Sequence, residues 1–173
     1  MARTFRSVDV VKLIDALERI CGELGIMADV AEREATRHAY ELYFRFRRKL
    51  RDADTLSDLI EERLGNLEEG RSSDLDDSLT KIMTQLIVFQ SRALVKFAYV
   101  LSANTFLPLG SQELFQHDIQ RLEKISRRVG SYSLTDETGQ NAIDNLAIAL
   151  DILTEMAGKA PSILNLAELS DAA

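Results

Sequence analysis

The sequence predicts an all-α protein that folds as a helical bundle of five to six helices. Residues that interrupt helices are scarce, with two prolines and eight glycines in 173 residues. Apolar residues recur at spacings of three and four, which is the period of one helix face, and no segment alternates long enough to predict a strand. Charged residues, 28% of the chain, are interleaved with apolar ones. This pattern is typical of amphipathic helices that pack on one another.

Length and composition favour a single helical domain over residues 1–173. A chain near this size buries about 68–70% of its unfolded surface, so it can form a substantial core. Cys21 is the only cysteine, which excludes a disulfide within the chain. The N-terminal residues do not form the unbroken apolar run of a secretory signal. We therefore expect a protein of the reducing cytoplasm.

Helix one is expected over residues 8–24. Ser7 can cap its N-terminus, and Gly25 can end it in the left-handed conformation. Its apolar positions follow the spacing of a heptad seam: Val10, Ile14, Leu17, Cys21 and Leu24. This spacing predicts coiled-coil-like packing, and the stripe is so short that it must pack on a neighbouring helix.

Helix two is expected over residues 28–51, and its end has two interpretations. A break near residues 52–54 would place a basic run at a helix C-terminus, where cations are favoured. A continuous helix to about residue 67 fits equally well, because the apolar stripe extends through Leu56, Ile60, Leu64 and Leu67.

Helix three, over residues 74–103, is apolar on most sides and is expected at the centre of the bundle, with residues 86–100 as its core. The apolar run continues to residue 109 but contains Arg92 and Lys96. A charge at mid-bilayer costs at least about 2.5 kcal/mol, so we expect no membrane span.

Two more helices and a tail complete the predicted chain. Helix four is expected over residues 111–129, where Ser111 opens it, and helix five over residues 136–157, where Thr135 or Asp136 opens it. Residues 162–173 are expected as a short docking helix or a frayed end.

The formal charge of −7 argues against general nucleic-acid binding, which requires a positive field. The charge alternates along the chain: it is +3, −8, +4 and −6 over residues 1–51, 52–80, 81–129 and 130–173. Such alternation predicts segments that attract one another, within one chain or between two.

The densest charge cluster is a basic run in helix two: Arg45, Arg47, Arg48, Lys49 and Arg51. It is a candidate binding site for an anionic partner, which would be a phosphate, an acidic helix or a lipid headgroup. The alternative is a solvated face that complements the helix end and the acidic residues 52–80.

An aromatic cluster in the same helix predicts a homodimer interface, formed by Tyr40, Tyr43, Phe44 and Phe46. Aromatic side chains are favoured interface anchors, and two-fold dimers are the commonest oligomers. The alternative is a monomer in which helices one and two fold back onto helix three.

The two histidines each follow a glutamate by four residues, as Glu34 with His38 and Glu113 with His117. Each pair could present one carboxylate and one imidazole on a helix face. Di-iron bundles use a three-residue spacing with further glutamates, and that pattern is absent. We therefore expect no metal site and no cofactor.

No complete catalytic or cofactor motif occurs in the sequence. The leading expectation is therefore a non-enzymatic protein–protein interaction module, which is a cytoplasmic adaptor, scaffold or regulatory protein. Its helical faces would bind protein partners.

A second expectation comes from the five residues 136–140, Asp-Glu-Thr-Gly-Gln. They resemble the Asp-x-Thr-Gly-Gln segment of CheZ-type response-regulator phosphatases, which are dimeric helical hairpins. The resemblance implies that Gln140 would orient a water for attack on an aspartyl phosphate and that Asp136 would pair with the regulator's lysine. The same residues also fit the capped first turn of a helix.

Overall fold

The computed structural model describes residues 5–34, 39–68, 70, 72–103, 107–129, 134 and 136–164. These residues form five helices: α1 (Ser7–Glu34), α2 (Ala39–Gly65), α3 (Ser73–Ser102), α4 (Ser111–Arg128) and α5 (Glu137–Lys159). Helices hold 88% of the described residues, and no strand occurs among them. The predicted all-α bundle is confirmed, while its coiled-coil-like packing stays a prediction.

Helix α1 is longer than the sequence predicted. It continues through Gly25 to Glu34, and α2 begins at Ala39 rather than near residue 28. A Cβ at Gly25 would lie 3.1 Å from the ring of Phe89 on α3. The absence of a side chain therefore lets α1 and α3 pack closely. Gly25 lies at this close contact between the two helices and does not end α1.

Helix α2 continues without interruption from Ala39 to Gly65, so the alternative with a break near residues 52–54 is wrong. Its buried face extends through this region, with Leu50 before it, Ala53 within it and Ser57 after it. Packing of that face stabilises the helix across the change from basic to acidic residues. The basic run therefore lies in the middle of a helix, where it complements no helix end.

Helix α3 has more buried residues than any other described helix, in agreement with the central place that the sequence predicted. It packs against α1, α2 and α5, and its buried residues include Leu86 and Phe97. In turn α2 packs against α1, and α4 packs against α5. The helices therefore follow the order α2, α1, α3, α5, α4, which leaves one face of the bundle between α2 and α4. None of the described helices combines the length and apolar character needed to cross a lipid bilayer.

Two of the aromatic residues expected at a dimer interface lie in the core instead. The rings of Tyr43 and Phe46 are completely buried, with centroids 5.6 and 5.7 Å from that of Phe97. They face α3 because they belong to the buried stripe of α2. Neither ring has surface to offer a second chain, so their expected interface role is corrected. Of the other two, Tyr40 is half-buried and Phe44 is 47% exposed.

We expect Phe97→Ala to lower the free energy of unfolding by about 3–5 kcal/mol, because it removes a ring that contacts both Tyr43 and Phe46. Tyr99→Ala is the control, since Tyr99 lies two residues further on and is 55% exposed. It should change stability by no more than about 0.5 kcal/mol. Urea unfolding measures both, and a loss below about 1 kcal/mol for Phe97→Ala would place the core elsewhere.

Cys21 provides a test of the α1–α3 packing through pH. Burial, with a smaller contribution from the Glu18 carboxylate, raises the pKa of its thiol from 9.0 to about 11. A group whose pKa is raised on folding stabilises the fold below its unfolded pKa, and this contribution is lost as pH rises through the folded pKa. We therefore expect the wild type to lose more stability than Cys21→Ala between pH 9 and about pH 11 in urea unfolding. Equal losses would contradict the burial of this thiol.

Candidate functional site

A groove of about 740 Å³ lies between α2 and α4, with α3 beneath it. Its floor is apolar and is formed largely by Leu50, Met83, Leu86, Ile87, Leu122 and Ile125. The groove exists because α2 and α4 are the two ends of the helix order and do not close over α3. Its volume falls within the range of about 300–1,000 Å³ that is typical of ligand sites.

The rim of the groove is basic. Its cations are Arg45, Arg47, Arg48 and Arg51 from α2 and Arg121 and Lys124 from α4. Three aspartates, at positions 54, 58 and 118, also line the groove. The groove therefore concentrates positive charge on one face of a chain whose formal charge is −7.

The basic run predicted from the sequence is divided by the structure. Four of its five residues line the groove, and the fifth, Lys49, does not. The Lys49 ammonium instead lies 2.6 Å from the Glu23 carboxylate of α1. The sequence showed the charge density of the run, but the division depends on the rotation of α2 against α1.

Asp118 joins α4 to α2 at the groove. Its carboxylate is 8% exposed and accepts hydrogen bonds from the Tyr43 hydroxyl and, at 2.5 Å, from Nε of Arg47. Burial raises the pKa of Tyr43 well above its usual value, and the negative charge of Asp118 raises it further. The phenol therefore stays neutral, and its hydroxyl donates a hydrogen bond to the carboxylate.

A second ion pair joins the same two helices further along. The guanidinium of Arg121 contacts both carboxylate oxygens of Asp54, at 2.7 and 3.1 Å. Such two-point pairing fixes the relative orientation of its partners. Arg47 and Asp54 are seven residues apart, which is about 10 Å along α2. The two bridges therefore hold the walls of the groove at two levels.

The other four cations of the rim take part in neither bridge. Within the described part of the chain, Arg45, Arg48, Arg51 and Lys124 form no ion pair, and all four are exposed. They differ in this respect from Arg47 and Arg121, which are engaged in the bridges. The unpaired cations are therefore the ones available to an anionic ligand.

Gln90 is the polar residue of the groove floor. Its side chain extends from α3, is 3% exposed and lines the groove. Its amide oxygen Oε1 has no hydrogen-bond partner among the described residues. Sequence reasoning did not single out this residue, because one glutamine within a long apolar helix carries no recognisable pattern.

The residues of the phosphatase resemblance lie elsewhere. Asp136 caps α5, and its carboxylate accepts a hydrogen bond of 2.8 Å from the backbone N–H of Gly139. A Cβ at Gly139 would lie 2.7 Å from the backbone of Leu134, so only glycine fits there. Gln140 is exposed and donates a hydrogen bond to Asp144. Capping and close packing thus explain Asp136 and Gly139, and neither Asp136 nor Gln140 lines the groove.

The two histidine pairs are not alike in the structure. His38 lies outside the described residues. His117 is exposed beside the groove, whereas Glu113 accepts hydrogen bonds from Ser162 and from the backbone N–H of Ile163. Within the described ranges, no group of three or more His, Cys, Asp or Glu side chains is arranged to hold a metal.

Comparison with known proteins adds no relative. The chain matches no protein-family model, and neither curated proteins nor solved structures gave a match. Its function is therefore argued from the groove.

We expect Asp118→Ala to lower the free energy of unfolding by about 1.5–3 kcal/mol, because the buried Tyr43 hydroxyl and the partly buried Arg47 guanidinium lose a charged acceptor. The control is Asp54→Ala, which breaks the second bridge at a carboxylate that is 45% exposed. It should cost less than about 1 kcal/mol, as solvent screens this pair. Equal costs in chemical denaturation would contradict the central role of Asp118.

Proposed function

We propose that this protein is a non-enzymatic interaction module that binds an acidic amphipathic helix of a partner protein in the groove between α2 and α4. The observation that carries the proposal is the combination of an apolar floor with a rim of unpaired cations. The role would be that of a cytoplasmic adaptor, scaffold or regulatory protein.

The shape of the groove favours a helix as its occupant. An amphipathic helix commonly binds in an apolar groove between two helices. It inserts apolar residues that are three and four positions apart. A helix that lies along the mouth of the groove, outside the Arg47–Asp118 and Arg121–Asp54 bridges, would cover the part of the lining that stays accessible. It would bury apolar atoms of Met83 and Ile125, which line the groove and are partly exposed.

The charge of the groove favours an acidic partner. Arg45, Arg48 and Arg51 lie three residues apart on α2, and Lys124 lies on the opposite wall. Carboxylates on both flanks of a docked helix would therefore meet cations on both sides. Complementary charge of this kind accelerates association and excludes partners of the wrong sign.

A second copy of this chain is the alternative occupant, and the homodimer remains a prediction. Phe44 is the member of the predicted aromatic interface that lines the groove and is exposed. The exposed Asp74 and Asp77 at the beginning of α3 belong to the acidic region of the chain. Light scattering separates the two occupants, since a dimer that Arg48→Glu/Arg51→Glu dissociates would assign the groove to a second copy.

The binding test uses a fluorescent peptide of about 16 residues, long enough for four helical turns, with Leu at helix spacings of three and four and Glu at the other positions. A matched peptide carries Lys in place of Glu. We expect the wild type to bind the Glu peptide in fluorescence anisotropy, and the affinity to fall as NaCl is raised, because salt screens the rim charges.

The double variant Arg48→Glu/Arg51→Glu should bind the Glu peptide at least about 10-fold more weakly, which corresponds to about 1.4 kcal/mol. The control is Lys12→Glu, since Lys12 is an exposed cation of α1 that does not line the groove. Circular dichroism verifies that both variants fold. Equal binding of the two peptides by the wild type, or an equal loss in the control, would refute the proposal.

A further inference from the structure

The α2 wall of the groove carries a row of three unlike side chains at its mouth. Phe44, Arg51 and Asp58 follow one another at intervals of seven residues, and all three are exposed and line the groove. Seven residues make nearly two turns of a helix, so these side chains lie on one side of α2, about 10 Å apart. Along the groove, the row therefore changes from apolar to positive to negative.

The two charges of this row take no part in the bridges between α2 and α4. Among the residues that the structure describes, neither Arg51 nor Asp58 forms an ion pair. The nearest aspartate on α2, Asp54, lies one turn before Asp58 and is already paired with Arg121. Because Arg51 and Asp58 are exposed, a helix along the mouth of the groove can reach both without disturbing a bridge.

The row restricts the charges on the flank of a docked helix that faces α2. Glutamates alone would complement Arg51 but would place a like charge opposite Asp58. Two residues seven apart on the docked helix also lie on one side, about 10 Å from each other, which matches the spacing of Arg51 and Asp58. A carboxylate at one of these positions and a cation at the other would satisfy both residues of α2.

The α4 wall shows which flank of the docked helix carries the cation. The two bridges occur in the same order along α2 and α4, so these helices run in the same direction. Lys124 lies one turn beyond Arg121, as Asp58 lies one turn beyond Asp54, so Lys124 and Asp58 are at the same end of opposite walls. A partner cation facing α4 would be repelled by Lys124, whereas one facing α2 would be attracted by Asp58.

We infer that the bound helix carries a carboxylate and a cation seven residues apart on its α2-facing flank, opposite Arg51 and Asp58, and that Asp58 selects this cation. The inference rests on the proposed function and adds to it a residue that determines specificity. Charged residues beside the apolar seam of packed helices act in this way, because they set the choice of partner and its orientation.

The experiment uses the Leu/Glu peptide as parent, with a set of peptides in which one Glu is replaced by Lys at each position in turn. Binding to the wild type, to Asp58→Lys and to Asp52→Lys is measured by fluorescence anisotropy at low NaCl. Asp52 is the matched control, because it is an exposed aspartate of the same helix that does not line the groove.

At least one Lys peptide is expected to bind the wild type about 3-fold more tightly than the parent does, since an ion pair replaces a like-charge contact at Asp58. Asp58→Lys should reverse this order, while Asp52→Lys should keep it. The reversal is a coupling between one peptide position and one residue, which a change in net charge alone would not produce.

The spacing of seven residues has its own test. In the Lys peptide that binds best, the Glu seven residues from the Lys is replaced by Gln. This change should weaken binding to the wild type about 3-fold and should have no effect on binding to Arg51→Gln. An equal loss in the wild type and in Arg51→Gln would contradict the predicted contact with Arg51.

Circular dichroism verifies that the variants fold, and if Asp58→Lys does not, Asp58→Asn takes its place and should abolish the gain from Lys. If the parent binds in a salt-dependent manner and no Lys peptide improves on it, the proposed function stands and the role of Asp58 is refuted. A gain from Lys that persists unchanged in the Asp58 variant also refutes that role. If no acidic peptide binds, both proposals fail.

Discussion

Helix α3 imposes the constraint on which the rest of the structure depends. Its apolar side chains extend around most of the helix, so it must be covered on nearly every side. Helices α1 and α5 cover it on two sides, and α2 covers part of a third. The part between α2 and α4 is the floor of the groove. At the candidate site, Leu86, Ile87 and Leu94 of α3 are covered closely, and Met83 is covered less completely.

The ion pairs across the groove show how an incompletely covered face can remain ordered. Asp118 is buried with the Tyr43 hydroxyl and also pairs with the partly buried Arg47, so it joins α4 to a core residue of α2. Arg121 and Asp54 form a second connection closer to solvent. Together with the packing of the Tyr43 ring on Phe115, these bridges fix the position of α4 beside α2.

The arginines that line the groove fall into two groups, those paired with aspartates and those without an ion-pair partner among the described residues. Arg47 and Arg121 are neutralised by aspartates and serve the architecture, while Arg45, Arg48 and Arg51 extend outward from the same helix without ion-pair partners among the described residues. The proposed binding in this groove rests on these cations and on the apolar surface beside them.

The sequence by itself determined the all-α class of this protein and three of its helices, because helix formation follows from local periodicity. The apolar stripes of α3, α4 and α5 placed these helices within one or two residues of their observed bounds, whereas the boundary between α1 and α2 was misplaced. The sequence also located the basic run and restricted the cap of α5 to Thr135 or Asp136, since charge density and capping are properties of a few adjacent residues. Tertiary structure decided the rest. Gly25 packs against Phe89. Tyr43 contacts Phe97 and donates a hydrogen bond to Asp118. Lys49 pairs with Glu23 and does not line the groove as the rest of the basic run does. Each of these outcomes depends on how one helix is rotated against another, and that rotation is set by packing between residues far apart in the chain.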